Sequence, residues 1–238
     1  MRYIAIIPSR MESKRLPGKP LKKIGKKSMI QRVYEQSIRC KRFEKVFVAT
    51  DSQEIKNHVE NFAEVIMTSS KPSNGTERVS EALNKINISY DYIINIQGDE
   101  PFIKKNQIDI LIGICDGKNQ ICSLVKKTSY NEELKKNSII KVVMDKEKNA
   151  LYFSRNIIPS YNESAIYYKH IGLYGFKKNI IEKITKLPKS ELEKIESLEQ
   201  LRWLENNYKI KLAITKEDSF GIDTEEDLIN ANKIVLNI

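Results

Sequence analysis

Short apolar runs alternate with amphipathic stretches through the first half of this chain, and that alternation constrains the fold more than any other feature. Tyr3–Ile7, Val46–Thr50, Val65–Thr68 and Tyr92–Ile96 read as buried strands. Between them, Ser28–Cys40 carries Met29, Ile30, Val33, Tyr34 and Ile38 at helical spacing. Asp51-Ser52 is a capping pair ahead of a helix over Gln53–Phe62, and Thr76 begins another that runs to about Asn87. A helix over Lys105–Cys115 and a strand near Cys122–Val125 follow. Strand, helix, strand with short connections specifies parallel βαβ units, so the expected class is α/β, with an open, doubly wound, mostly parallel sheet.

The second half has a different rhythm. Ile139–Met144 and Ala150–Ser154 read as strands joined by a polar turn, and "HIGLYGF" as a third. Helices are expected near Asn179–Leu187 and over Ser197–Asn206, with a strand at Lys211–Ile214. Thr224 is placed to cap a last helix whose first turn holds Glu225, Glu226 and Asp227. The expected organisation is one domain over 1–238, in which residues from roughly 126 to 206 form a smaller lobe inserted over the sheet.

In doubly wound sheets ligands bind outside the carboxyl ends of the strands. Three charged segments are predicted there: the loop Ile7–Leu21 after the first strand, Asp51, and "QGDEP" at Gln97–Pro101. The loop holds Arg10, Lys14, Arg15 and Lys19, with Pro17-Gly18 between them. It is either a solvated basic turn or a cradle for a polyanion. Arginine offers a planar fork to phosphate oxygens and lysine a compact point charge. Gly18 permits close backbone approach, and Pro17 limits the entropy lost on ordering. The position after the first strand favours phosphate; Lys14 retains the reading of a solvated side chain. No G-x-G-x-x-G follows the strand, and Gly18 and Gly25 are spaced too widely for a Walker A loop.

Chemistry on a triphosphate needs a divalent ion, and Mg²⁺ takes carboxylate oxygens alongside phosphates. Asp99 at a strand end and Asp223 before the last helix are the candidate pair. The three cysteines include no C-x-x-C, which argues against a disulfide framework or a zinc site. The formal net charge is +10, but the lysines are scattered in short pairs over the whole chain, which suits solvated faces better than a nucleic-acid stripe. Without a membrane-length apolar run or a secretory pattern, the chain is expected to be cytoplasmic, with neither a membrane nor a nucleic acid as partner.

Eight separated segments then agree in order and spacing with one family. They are "IIPSRMESKRLPGKPL", "VATD", "GTERV", "NIQGDEP", "LYFSR", "KHIGLYGF", "LEKIESLEQLRWLENNYKIK" and "GIDTEEDL". The chain resembles the 3-deoxy-manno-octulosonate (Kdo) cytidylyltransferases over essentially its whole length. The resemblance implies transfer of CMP from CTP to the anomeric C2 hydroxyl of Kdo, giving CMP-Kdo and pyrophosphate for lipopolysaccharide biosynthesis, with Mg²⁺ and a homodimeric enzyme. By the same resemblance Arg10, Arg15, Lys19, Gly75, Thr76 and Arg78 hold CTP, and Lys19, Arg10, Asp99 and Asp223 are catalytic. Asp99 and Asp223 hold the metal. Gln97, Arg155, His170, Tyr174, Glu199 and Gln200 fall on the sugar side. For His170 the residues alone suggest a satisfied structural group; only its place in "KHIGLYG" makes it a sugar contact.

The chain departs from the family at two places. The family's H-x-S-G-T-[DE]-R loop is Pro72-Ser73-Asn74-Gly75-Thr76-Glu77-Arg78 here, and Ile158-Pro159 is followed by Ser160-Tyr161 in place of an aromatic and a basic residue. The second departure lies in the sugar lobe. Alternatives are therefore the same reaction on 8-amino-3,8-dideoxy-manno-octulosonate, or on a sialic-acid-type nonulosonic acid.

Overall fold

The computed structural model describes residues 1–13, 15–218 and 220–236, so the reading of Lys14 lies outside the described residues. In chain order the elements are β1 (Tyr3–Ser9), β2 (Lys23–Ile24), β3 (Lys27–Ser28), α1 (Met29–Ser37), β4 (Phe43–Thr50), α2 (Gln53–Val59), β5 (Glu64–Met67), α3 (Gly75–Leu83), β6 (Tyr92–Asn95) and α4 (Lys105–Ile114). Then come β7 (Ile121–Ser129), β8 (Lys141–Met144), β9 (Ala150–Ser154), β10 (Ile166–Lys177), α5 (Ile180–Thr185), α6 (Glu191–Glu196), α7 (Glu199–Glu205), β11 (Ile210–Thr215) and α8 (Glu225–Leu236). The chain divides into two compact units, Met1–Ile108 with Ser219–Ile238, and Asp109–Asp218.

In the first unit β1 pairs in parallel with both β4 and β6, and β4 pairs in parallel with β5. β1 is buried along its whole length, and Ile4, Ile6, Ile7, Val48, Ile93 and Ile94 are fully excluded from water. Burial of each such side chain contributes about 2 kcal/mol. Strands buried on both faces read as continuous apolar runs, which is why these were visible in the sequence. Ser52 caps α2 through its hydroxyl, as the sequence predicts, and Ser28, read there as the first helical residue, caps α1 in the same way.

The second unit is a mixed sheet. β7 pairs antiparallel with β10 and parallel with β11; β8 joins β10 and β9, both antiparallel. Phe153, Tyr167, Phe176 and Trp203 are fully buried in it. Several boundaries differ from the expectation: α1, α2 and α3 end earlier, β7 is longer and β8 begins only at Lys141. β10 runs twelve residues, longer than "HIGLYGF". The helix expected over Ser197–Asn206 starts only at Glu199, because Ser197 adopts a left-handed conformation (φ 53°) that ends α6.

Candidate active site

An apolar cluster in the first unit assembles the charged segments. Leu16, Ile24, Met29, Ile222, Leu228 and Ala231 form it, with Phe102 and Phe220 packed alongside. Leu16 adjoins Arg15, Ile222 adjoins Asp223, and Phe102 follows the Asp99 turn. Each buried apolar residue thus anchors a charged neighbour that stays at the surface. The Ile222 N–H donates to the Asp99 carbonyl at 2.9 Å, which ties the two acidic segments directly. Gly18 is left-handed (φ 67°) and opens the short turn that presents Lys19.

The charged groups meet in one ion-pair network. Lys19 Nζ lies 2.7 Å from Asp99 Oδ2 and 3.0 Å from Asp223 Oδ1. Arg15 Nη2 lies 2.8 Å from Asp223 Oδ2. Burial by itself would lower the Lys19 pKa, but attraction to Asp99 and Asp223 outweighs it and the pKa is raised. Burial would raise the Asp223 carboxyl, yet Lys19 and Arg15 outweigh it and hold it below its ordinary value. The network borders a cavity of about 770 Å³ that Arg10, Arg15, Lys19, Gly75, Arg78, Gln97, Asp99 and Asp223 all line.

The amino end of α3 forms another wall. Asn74 accepts from the Glu77 N–H at 2.9 Å and so caps the helix, and its amide also donates to Glu77 at 3.2 Å. Asn thus serves as a complete cap at the position where it replaces the family's serine. Gly75 follows at the cavity edge, where a Cβ would stand 3.2 Å from the Pro8 ring. Gly98 tolerates no side chain: a Cβ there would lie 2.7 Å from the Pro8 carbonyl oxygen. Thr76 is buried, as is Arg78. The Arg78 guanidinium donates to Thr68 Oγ1 and to Asp51 Oδ2, at 2.5 and 3.1 Å. It therefore braces α3 against the end of β4 as well as bordering the cavity. Arg10 is exposed and reaches the Ser73 carbonyl at 3.4 Å. Ser9, Glu12 and Asn74 also line the cavity. Residue identity did not mark Ser9 or Glu12, since polar side chains stand in any loop, and it marked Asn74 only as a departure from the family's loop.

Among the described residues, no cluster of three or more His, Cys, Asp or Glu side chains converges as a metal site. Two carboxylate oxygens that reach one ammonium are nevertheless close enough to share one cation. A two-carboxylate set suits Mg²⁺, which completes its shell with phosphate and water.

The remaining predicted residues belong to the second unit. Gln200 Nε2 donates to the Tyr174 hydroxyl, and the Tyr174 ring lies 5.4 Å from the His170 ring and 5.5 Å from that of Trp203. Burial, and then the nearby Glu199 charge, push the Tyr174 pKa well above the ordinary phenol value. The Ser123 hydroxyl donates to the Leu173 carbonyl at 2.9 Å, which leaves its oxygen to accept from His170 Nε2–H at 2.9 Å. This network assigns the imidazole tautomer. Burial lowers the His170 pKa to about 3, so the ring is neutral. Arg155 donates to three carbonyls, those of Glu196, Asn137 and Ser197, at 2.9, 2.8 and 3.3 Å. A guanidinium carries five N–H groups, so two of them remain beyond these bonds.

Comparison with known proteins adds an independent line. A family model described as "Cytidylyltransferase" matches residues 4–210. A 3-deoxy-manno-octulosonate cytidylyltransferase from Parabacteroides distasonis is 47% identical, with 100% of this chain and 99% of that protein covered. An 8-amino-3,8-dideoxy-manno-octulosonate cytidylyltransferase from Shewanella halifaxensis is 41% identical, covering 96% of each. Among solved structures, a CMP:2-keto-3-deoxy-manno-octonic acid synthetase complexed with CTP superposes with a TM-score of 0.93 at 34% identity, covering 100% of this chain and 99% of its own. No described helix is long and apolar enough to cross a membrane.

Proposed function

This chain belongs to the cytidylyltransferase family, and from that premise we propose that it transfers CMP from CTP to 3-deoxy-manno-octulosonate, releasing pyrophosphate. The observation that carries the reading is the Lys19 ammonium held between Asp99 and Asp223 on a cavity bordered by Arg10, Arg15 and the amino end of α3. Cations and a helix amino terminus suit a triphosphate, and two carboxylates suit its metal ion.

In the proposed reaction the anomeric C2 hydroxyl gives up its proton to solvent as its oxygen forms a bond to the α-phosphorus. The bond from that phosphorus to the oxygen bridging it to the β-phosphate breaks, and the electron pair leaves with pyrophosphate. The residues mainly position groups and neutralise charge, as phosphoryl transfer permits. Lys19 and Arg15 neutralise charge at the α-phosphate and on the leaving pyrophosphate, and Arg10 contacts the phosphates at the cavity mouth. Gly75, Thr76 and Arg78 shape the wall against which CTP lies. Asp99 and Asp223 would hold Mg²⁺, which supplies charge neutralisation and lowers the pKa of an oxygen bound to it.

Gln97, Arg155, His170, Tyr174, Glu199 and Gln200 are proposed to bind the sugar acid. The two Arg155 N–H groups beyond its carbonyl bonds suit the carboxylate, and the neutral His170 and Tyr174 suit hydroxyls. The lobe role of residues 126–206, a cytoplasmic location and a homodimer belong to this proposal. Lipopolysaccharide biosynthesis follows from the sugar.

The 8-amino sugar is the second reading, favoured by the Shewanella halifaxensis relative. One experiment addresses both. Purified protein is given CTP and Mg²⁺ with Kdo, 8-amino-Kdo or a sialic acid, and pyrophosphate is measured. Fastest release with Kdo is expected. Preference for the 8-amino sugar supports the second reading, and no release with any octulosonate overturns both.

A further inference from the structure

Lys141 is a lysine with no exposed surface at the start of β8. Buried ammonium groups normally sit against a carboxylate. This one donates instead to backbone carbonyls: that of Ile139 at 2.7 Å, that of Lys136 at 3.5 Å, and that of Arg155. Burial lowers its pKa; the Glu196 charge opposes that and the Arg155 charge adds to it. None of the eight segments that carry the resemblance contains this position.

The carbonyls it gathers belong to two segments that also converge on the Arg155 side chain. One is the loop Lys136–Ile139, whose Asn137 carbonyl takes Arg155 Nη1 at 2.8 Å. The other is residue 155 itself, whose N–H donates to Glu196 Oε2 at 2.9 Å. Glu196 Oε1 accepts from Ser154 Oγ at 2.7 Å, and the Glu196 and Ser197 carbonyls accept from the guanidinium. Ser197 and Leu198 then lead into α7, which begins at Glu199-Gln200, with Gln200 bonded to Tyr174. A continuous set of hydrogen bonds thus runs from Lys141 through Arg155 to the turn that starts α7. Loop 136–140 also meets the sugar-side strand, because the His170 N–H donates to the Ile140 carbonyl at 2.8 Å.

We infer that Lys141 is a positioning residue for the sugar-acid site: its buried ammonium clamps loop 136–139 to the Arg155 backbone and so holds the Arg155 guanidinium in its binding orientation. Carbonyl acceptors can turn in either direction around a peptide plane, and a single cation that collects three of them removes that freedom. Hydrophobic packing alone would take a donor away from all three oxygens, of which the Lys136 carbonyl also accepts from the Ile139 N–H at 3.1 Å. The inference rests on the proposed sugar reading of the second unit.

The test compares full-length enzyme with Lys141→Met, which keeps the stem and deletes the charge. Hydrogen bonds from a charged group are the stronger kind, so the Michaelis constant for the sugar acid is expected to rise about tenfold while that for CTP stays within about twofold. In an Arg155→Ala background Lys141→Met is expected to add less than about twofold, because both changes act on one guanidinium. Fluorescence of Trp203, the single tryptophan, gives sugar affinity directly and is expected to weaken in parallel. If Lys141→Met does not fold, Lys141→Gln, which keeps a neutral donor, is read by the same pair of constants, with a rise of about threefold in the sugar constant alone. Equal changes in both constants, no change in the sugar constant, or full additivity with Arg155→Ala would overturn the inference. Absence of pyrophosphate release by the unaltered enzyme would instead overturn the sugar reading on which it stands.

Discussion

Lys19 Nζ stands 2.7 Å from Asp99 Oδ2, and the same ammonium reaches Asp223 Oδ1 at 3.0 Å. It therefore occupies the place between two carboxylates that a divalent cation would take. On the proposed reading, a metal–triphosphate would bind by an exchange of partners, in which the carboxylates would turn to the metal and the ammonium to phosphate oxygens. Lys19→Met removes both the internal counter-ion and the phosphate contact. Turnover is expected to fall by about 10²–10³, the usual cost of losing one group that stabilises transition-state charge. Mn²⁺ affinity without nucleotide, read by electron paramagnetic resonance, is expected to rise. Unchanged or weaker Mn²⁺ binding in the variant would contradict the exchange.

Leu16 is 2% exposed in the cluster that joins the basic loop to Ile222 and α8. Leu16→Ala leaves a cavity beneath Arg15 and Lys19. A loss of about 2–5 kcal/mol in unfolding free energy is expected, together with a raised Michaelis constant for CTP. Urea denaturation and steady-state kinetics measure the two effects. Lost stability with unaltered CTP kinetics would show that the cluster does not position the loop.

His170 gives a pH dependence whose sign follows from its neutral burial. Its folded pKa is about 3, against about 6.5 for an unfolded imidazole, so between those values the unfolded chain binds the extra proton. Stability contributed by the neutral ring is present above pH 6.5 and falls as the solution is acidified. From pH 7 to pH 5 the loss is about 2 kcal/mol. That window lies above the range in which Asp223, with its lowered pKa, gains a proton. The slope is expected to shrink by that amount in His170→Asn, measured by urea denaturation at both values. An equal slope in the variant would mean that the ring titrates normally in the folded protein.

How far these features were visible in the sequence depended on what carries them. β1, β6 and the Val46–Thr50 stretch of β4 announced themselves because segments buried on both faces are predominantly apolar. Thr224 announced the last helix, and Asp227 does reach back to it, accepting from its N–H at 2.9 Å. The helix α6 was overlooked although its capping box, Ser190 with Glu193, stands in the sequence. The short β2–β3 pair left no periodic signal, being only two residues per strand. Roles made through backbone carbonyls were invisible. Carbonyl acceptors are present at every residue, so neither the three that hold Arg155 nor the three that hold Lys141 mark the sequence. Lys141 itself looked like one more lysine in a chain with 41 basic residues. The joint hold of Lys19 on Asp99 and Asp223 also needed coordinates, since the two acids come from the two separate segments of the first unit.

The central claim is that Asp99 and Asp223 together serve nucleotidyl transfer from CTP to an octulosonate. Its most direct measurement is the initial rate of pyrophosphate release with CTP, Kdo and Mg²⁺, compared among the unaltered protein, Asp99→Asn and Asp223→Asn. Both substitutions keep side-chain size and remove the charge that would hold the metal. The account predicts sugar-dependent release by the unaltered protein and a fall of about 10³ or more in each folded variant, since charge stabilisation supplies most of this chemistry. Release that persists at the unaltered rate in either variant, or that never depends on the sugar, would contradict it.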